Sequence, residues 1–332
     1  MTKKKRVLSG IQPTGKLHLG NLLGALENWK QLQDKYECYF FIADLHALTS
    51  FYDDPKQLSE IINDVVVDLL AIGIDPDKCI LFKQSDVVEH SELHLLFSMI
   101  TPLPWLERIP TYKSKIKELK EKDLGTYGFL GYPVLQAADI LIYKADFVPV
   151  GEDQLPHIEI TRQIAKRFNN FYGEVFPQPK ELLTSFPAVP GLDKRKMSKS
   201  YNNTINISDS QTILKKKVNL IITDPARVKK EDKGHPDVCG LFSFHQLFNK
   251  AETGKIEKEC KNAQRGCVAC KKELLERLEG YLAPIQKRRA EILKDRATIN
   301  KVLKDGAEKA QRIASETLDQ VKMSMGLSKI NN

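Results

Sequence analysis

The sequence predicts an α/β protein, with a parallel sheet across residues 1–205 and a mainly helical remainder at 206–332. Two observations carry this. Short continuous apolar runs such as Cys38-Tyr39-Phe40-Phe41-Ile42-Ala43 mark strands buried on both faces, and they alternate with segments of helical period. Beyond Ile207 the apolar spacing is helical only. At 332 residues the chain is long enough for two domains and a substantial core.

A first strand is expected about Val7 to Ser9, running into a turn and then a helix from about Gly20 to Gln33. The second strand, at Cys38, ends at Asp44-Leu45-His46-Ala47. Asp54-Pro55 opens a helix with apolar residues at 58, 61, 62, 65, 66, 69 and 70, stopped by Gly73. Cys79-Ile80-Leu81-Phe82 is the third strand. Residues 91–122 look helical, broken by Pro102, Pro104 and Pro110, and a further helix runs from Tyr132 through Tyr143. Phe147-Val148-Pro149-Val150 is a strand with Gly151-Glu152-Asp153-Gln154 at its carboxyl end, where open parallel sheets bind ligands. A helix to about Phe168 and a loop over 186–200 follow. Helices are then expected at 213–222, 241–248, 273–294 and 296–325, the last able to pack back on the sheet.

Composition bounds the function. Hydrophobic residues are 42% and charged residues 28%, an ordinary globular mixture. No apolar run reaches the ~18 residues a membrane span needs. The basic start, Met1 to Arg6, lacks the apolar stretch of a secretion signal, so a cytoplasmic protein is expected. Net charge is +8, and residues 271–312 hold 12 Lys and Arg against 7 Asp and Glu, which favours a polyanionic partner.

Two basic stretches 180 positions apart organise the chain. The first is Ser9-Gly10-Ile11-Gln12-Pro13-Thr14-Gly15-Lys16-Leu17-His18-Leu19-Gly20-Asn21. At such a strand-to-helix turn the unpaired N–H groups and the helix dipole suit a polyphosphate. The second, Lys196-Met197-Ser198-Lys199-Ser200, offers two ammonium and two hydroxyl groups able to clamp phosphates.

Together, in this order, they resemble the HIGH and KMSKS signatures of class I aminoacyl-tRNA synthetases, with Asn21 replacing the second His. The SGIQPTG lead-in is similar to that of tryptophanyl-tRNA synthetases. The resemblance implies a Rossmann-like catalytic domain and a helical domain that binds the anticodon. It implies an ATP site at Gln12, Pro13, Thr14, Gly20, Asn21, Gly151, Glu152, Asp153, Val189, Lys196, Met197, Ser198, Lys199 and Ser200, with Mg2+ accompanying the nucleotide. His18, Asn21, Lys196, Lys199 and Lys115 would act on the phosphates. The partners implied are L-tryptophan, ATP and tRNA(Trp), in a homodimer.

Tyrosyl-tRNA synthetases share the arrangement of Tyr132, Pro133, Gln136 and Asp139, so the amino-acid pocket decides between the two substrates. Both need an acceptor, which Asp139 supplies. A phenol also wants a donor, whereas an indole N–H is a donor only. The tyrosine enzymes place a Tyr hydroxyl where this chain has Leu8, and an unpaired buried hydroxyl costs ~1–3 kcal/mol, so the pocket reads as tryptophan. By resemblance Tyr132, Gln136 and Gln154 would hold the ammonium end, Val148 and Val150 line the ring, and His46 take an active-site position.

Cys38 and Cys79 fall in apolar stretches and read as reduced core residues. Cys239, Cys260, Cys267 and Cys270 form C-x20-C-x6-C-x2-C, a metal pattern in a cytosolic chain that suits zinc or a [4Fe–4S] cluster. A subset of tryptophanyl-tRNA synthetases carries a similar set with an iron–sulfur cluster, so the cluster is expected ahead of Zn2+. Three other readings stay open: a tyrosyl-tRNA synthetase, a smaller nucleotidyltransferase with an HxGH turn, and a noncatalytic cysteine-cluster RNA-binding protein.

Overall fold

The computed structural model describes residues 4–110, 112, 113, 116, 124–183 and 189–327. Five strands form one wholly parallel sheet: β1 (Arg6–Ile11), β2 (Glu37–Ile42), β3 (Cys79–Lys83), β4 (Phe147–Val150) and β5 (Lys180–Leu183). Their order is β3-β2-β1-β4-β5, with Val7 opposite both Cys38 and Phe147. The chain winds outward from β1 through β2 to β3, then returns to add β4 on the other side. That reversal leaves a crevice at the carboxyl ends of β1 and β4. β5 has no counterpart among the sequence expectations. It is a short edge strand bonded only to β4 and partly solvent-facing, so it carries no buried apolar run.

β1 leads into a helical turn α1 (Leu19–Asn21), a π-type turn at Leu22–Leu26, and α2 (Glu27–Lys35). α3 (Asp44–Phe51) leaves β2, and α4 (Leu58–Ile72) precedes β3. α5 (Glu89–Ser98) and α6 (Leu103–Glu107) pack on α7 (Tyr127–Ile142), and α8 (Leu155–Tyr172) crosses to β5. α7 starts before the expected Tyr132 because the Thr126 hydroxyl accepts from Phe129 N–H at 3.2 Å, capping the helix ahead of Pro133.

The helical part comprises α9 (Gln211–Leu220), α10 (Gly240–Phe248), α11 (Thr253–Lys261), α12 (Cys267–Ile292) and α13 (Arg296–Ser324). α11 was not expected, since its one buried residue, Ile256, makes no apolar stripe. α12 begins at Cys267 instead of Glu273, so the Cys267–Cys270 pair occupies its first turn.

Alternate strand residues feed two cores. Val7, Cys38, Phe40 and Ile42 face one layer with Trp29, Val65 and Leu69, and that core continues into Leu274, Leu278 and Leu282 of α12. Leu8, Tyr39 and Phe41 face the other with Phe97, Ile140, Phe168 and, from α13, Ala310 and Ala314. Trp29 stacks on Phe40 with centroids 4.4 Å apart. Arg289 of α12 donates to Asp68 and Asp64 of α4, both at 2.7 Å. The helical part therefore shares the sheet's cores.

α13 lies directly on β3. A Cβ at Gly306 would stand 1.9 Å from the Leu81 carbonyl oxygen, so only glycine allows this approach. Gly306→Ala should destabilise the fold by about 2 kcal/mol or more. Gly280→Ala, exposed in α12 with no atom within 4 Å of its added methyl, should be neutral or slightly stabilising. Urea titration of the two variants checks this, and equal effects would refute the contact.

Candidate active site

The two basic stretches meet through backbone. Leu19 N–H donates to the Ile205 carbonyl at 2.9 Å, and Ile207 N–H to the Leu17 carbonyl at 2.9 Å. A bridge between His18 and Asn206 lies between these bonds. The Lys199 ammonium then crosses to the first stretch, donating to the Gly15 carbonyl at 2.8 Å and the Thr14 hydroxyl at 3.3 Å.

His18 and Asn21 form a reciprocal cap. Asn21 N–H donates to His18 Nδ1 at 3.3 Å, and His18 N–H donates to Asn21 Oδ1 at 3.1 Å. Asparagine at this place thus serves the helix start. With Nδ1 accepting, the neutral ring carries its proton on Nε2, a donor for a ligand in the cleft. Burial, then Lys199 and Lys217, lower the His18 pKa to about 4, so the ring is neutral at physiological pH. The ring covers Gly20, where a Cβ would sit 2.9 Å from it.

Asn203 staples the second stretch. Its Oδ1 accepts from Ser198 N–H at 2.8 Å, while Nδ2 donates to Asp193 at 2.7 Å and the Lys196 carbonyl at 3.3 Å. Met197 N–H donates to the Val189 carbonyl at 2.9 Å, and Met197 is buried. Lys196 is exposed. Burial lowers the Lys199 pKa to about 8, against the opposing pull of Asp68. Among the described residues no carboxylate makes a salt bridge to that ammonium.

These elements line a cleft of about 910 Å³ at the sheet crevice. It gathers Gln12, Thr14, His18, Gly20, Asn21, Gly151, Glu152, Asp153, Val189 and all of Lys196–Ser200. Pro13 is buried in the turn and does not line it. Lys115 lies outside the described residues. The cleft has basic and amide donors at one end, acidic residues at the other and, among the described residues, no nucleophile–base pair.

A second hollow of about 320 Å³ opens from the cleft, sharing Gln12, Asn21, Gly151 and Gln154 with it. Leu8, His46, Gln136, Asp139, Val148 and Val150 line its walls, together with Trp29 and Phe41. Tyr132, Gln136 and Asp139 follow one face of α7 at helical spacing. Tyr132 is not a lining residue. It stacks on His46 with centroids 5.0 Å apart and so stands behind it.

Asp139 is 1% exposed. Gln84 Nε2 donates to its two oxygens at 2.8 and 2.9 Å, and His90 Nδ1 meets Oδ1 at 2.6 Å. Sequence reasoning missed Gln84 and His90. Gln84 did carry a signal, since it directly follows β3 at the ligand-binding end of the sheet.

The four cysteines share one neighbourhood. Cys239 caps α10, Cys260 ends α11, and Cys267 and Cys270 start α12. Charge on Cys239, Cys260 or Cys267 is felt at Cys270, whose thiol burial pushes up to about 12. Among the described residues no three His, Cys, Asp or Glu are spaced to hold a metal ion. The donor chemistry fits a thiolate-held metal group, but the ligands are not pre-set around one. Cys38 and Cys79 are free, buried and opposite each other in β2 and β3.

Residues 1–283 match the model of the class I tRNA synthetases (W and Y), and the chain belongs to that family. Within it, the chain is 51% identical to the tryptophan–tRNA ligase of Thermotoga maritima, over 97% of this chain and 99% of that protein. It is 44% identical to that of Aquifex aeolicus, covering 97% and 100%. Its fold matches the tryptophanyl-tRNA synthetase of Campylobacter jejuni complexed with ADP and tryptophan, with TM-score 0.89, 36% identity and coverage of 97% and 100%.

Asn203→Ala should cost about 1–3 kcal/mol and free the loop it holds. Trypsin should then cut after Lys196 or Lys199 faster than in the unaltered protein, under conditions where both stay folded. An unchanged cleavage rate would show that Asn203 does not hold the loop.

Proposed function

We infer that the protein attaches tryptophan to its tRNA at the expense of ATP, with residues of the two hollows in defined roles. The observation that carries this reading is the join of the two cavities. A cleft with phosphate donors opens straight into an apolar hollow whose one buried charge is the Asp139 carboxylate. Asp139 accepts the indole N–H, while Leu8, Val148 and Val150 enclose the ring. Gln136, Gln154 and His46 lie toward the ammonium end, with Tyr132 supporting His46.

In the first step a tryptophan carboxylate oxygen bonds to the α-phosphorus of ATP, and the bond from that phosphorus to the bridging oxygen breaks. Pyrophosphate leaves with the electron pair. The carboxylate is already ionised at neutral pH, so no general base is needed, and catalysis is positioning with charge neutralisation. Lys199, His18 and the Asn21 amide stabilise the phosphates. Lys196, exposed in this state, joins them if the loop closes. Gly151 and Asp153 receive the ribose, and Mg2+ arrives with the nucleotide. In the second step a terminal adenosine hydroxyl of the tRNA takes the tryptophanyl group.

Residues 206–332 would meet the tRNA, a role supported by the chain's net charge of +8. Leu95, Met99, Leu103 and Tyr127 are exposed on helices that pack together, and they support a homodimer interface. Among the described residues no helix is long and apolar enough to cross a membrane. Cys239, Cys260, Cys267 and Cys270, drawn together, would hold a [4Fe–4S] cluster, which would brace α10, α11 and α12. Anaerobic purification should then give a brown protein with broad visible absorbance. A colourless protein holding one zinc per chain would overturn the cluster.

Tryptophan-dependent exchange of pyrophosphate into ATP tests the assignment. Exchange should proceed with tryptophan and be negligible with tyrosine. Lys199→Ala should slow it by about a hundredfold or more, as expected for removing a charged donor from a transition state, with tryptophan affinity changed little. Equal exchange with both amino acids would defeat the substrate reading, and unaltered exchange in Lys199→Ala the clamp.

A further inference from the structure

We propose that His90, with Tyr143 behind it and Gln84 beside it on Asp139, is a positioning and specificity-determining residue that fixes Asp139 as an acceptor with one free direction, aimed at the substrate's indole nitrogen. This rests on the pocket reading above and extends it to residues that never touch the substrate.

The hydrogen bonds run one way. Gln84 Oε1 accepts from His46 N–H at 3.1 Å, which turns the amide so that its NH2 group faces Asp139. His90 Nδ1 lies 2.6 Å from Asp139 Oδ1 and its Nε2 2.7 Å from the Tyr143 hydroxyl; with the ring proton on Nδ1, facing the carboxylate, Nε2 accepts from Tyr143. Gln84, His90 and Tyr143 are each 0% exposed, with Phe41 and Phe82 flanking the imidazole at centroid distances of 6.0 Å. Burial holds the Tyr143 hydroxyl protonated, so it remains a donor.

A carboxylate has about four acceptor sites. Here Oδ1 takes two hydrogen bonds and Oδ2 one, leaving a single acceptor site on Oδ2. An indole N–H fills it. A phenol could donate to it, but the Gln84 and His90 groups that meet Asp139 are turned to the carboxylate, so neither is aimed at the phenol's own oxygen. A buried carboxylate without such donors would lose its orientation. His90 thus fixes the direction of the recognition group.

The test compares tryptophan with 3-benzothienylalanine, which has sulfur in place of the indole N–H. Pyrophosphate exchange is measured for the unaltered enzyme and for His90→Leu, His90→Asn, Tyr143→Phe and Asp139→Asn. His90→Leu should raise KM for tryptophan tenfold or more, with KM for the sulfur analogue and for ATP within twofold of the original. His90→Asn keeps a donor near Nδ1 and should recover most of the loss. Tyr143→Phe, which deletes one buried oxygen, should shift tryptophan in the same direction by a smaller factor. It supplies the answer if His90→Leu does not fold. Equal losses for both amino acids in the His90 and Tyr143 variants, with Asp139→Asn still separating them, would overturn the proposal by reducing the chain to packing. If Asp139→Asn also fails to separate them, the pocket reading falls, and this proposal with it.

Discussion

Two backbone hydrogen bonds hold the site together: Leu19 to Ile205 and Ile207 to Leu17. They join the turn after the first strand to the chain leaving the second basic stretch. The stretch itself is then confined, because an antiparallel bridge between Pro190 and Lys196 fixes its other stem. Basic and amide groups from both stretches face one cleft for this reason. The same segment is gripped from the helical part, where Gln286 Nε2 donates to the Ile207 carbonyl at 3.0 Å and the Asp209 carbonyl at 3.1 Å. A shift of α12 would therefore be felt at the loop stem, which gives a physical route from the helical part to the cleft.

Charge is divided along the joined cavities. At one end Lys199 is partly desolvated and bonded only to neutral oxygens, so it is poised for an anion. At the other, Asp139 is buried and almost fully donated to, with one acceptor site left. Between them lies an apolar wall. Such a site can neutralise charge on a leaving group and orient an amino acid. Among the described residues it has none arranged for covalent catalysis, which agrees with a reaction whose nucleophile arrives ionised.

Much of this was legible because it is local. Strands buried on both faces read as apolar runs, and the motifs that line the cleft are contiguous words in the sequence. Asp139 was found through the family resemblance carried by Tyr132, Pro133 and Gln136, which the fold then sets on one helix with it. The rest depends on partners far along the chain. His90 and Gln84 are polar residues in unremarkable stretches, and only the packing of α5 and β3 against α7 brings them to Asp139. Asn203 reads as a loop residue until the fold shows three hydrogen bonds from its amide. β5 escaped because an edge strand need not be apolar, and Asn21, which looks like a weakened signature, closes a helix cap.

The central claim is that a partly buried, charged Lys199 ammonium grips the nucleotide, and its titration tests this most directly. Its pKa of about 8 in the free protein lies below the ordinary 10.5, so the charge is present below pH 8 and lost above it. kcat/KM for ATP at saturating tryptophan, measured from pH 7 to 9, should fall above pH 8 toward tenfold per unit. Lys199→Arg, which stays charged throughout, should show no such fall. A flat profile in the unaltered enzyme, or the same fall in both, would contradict the account.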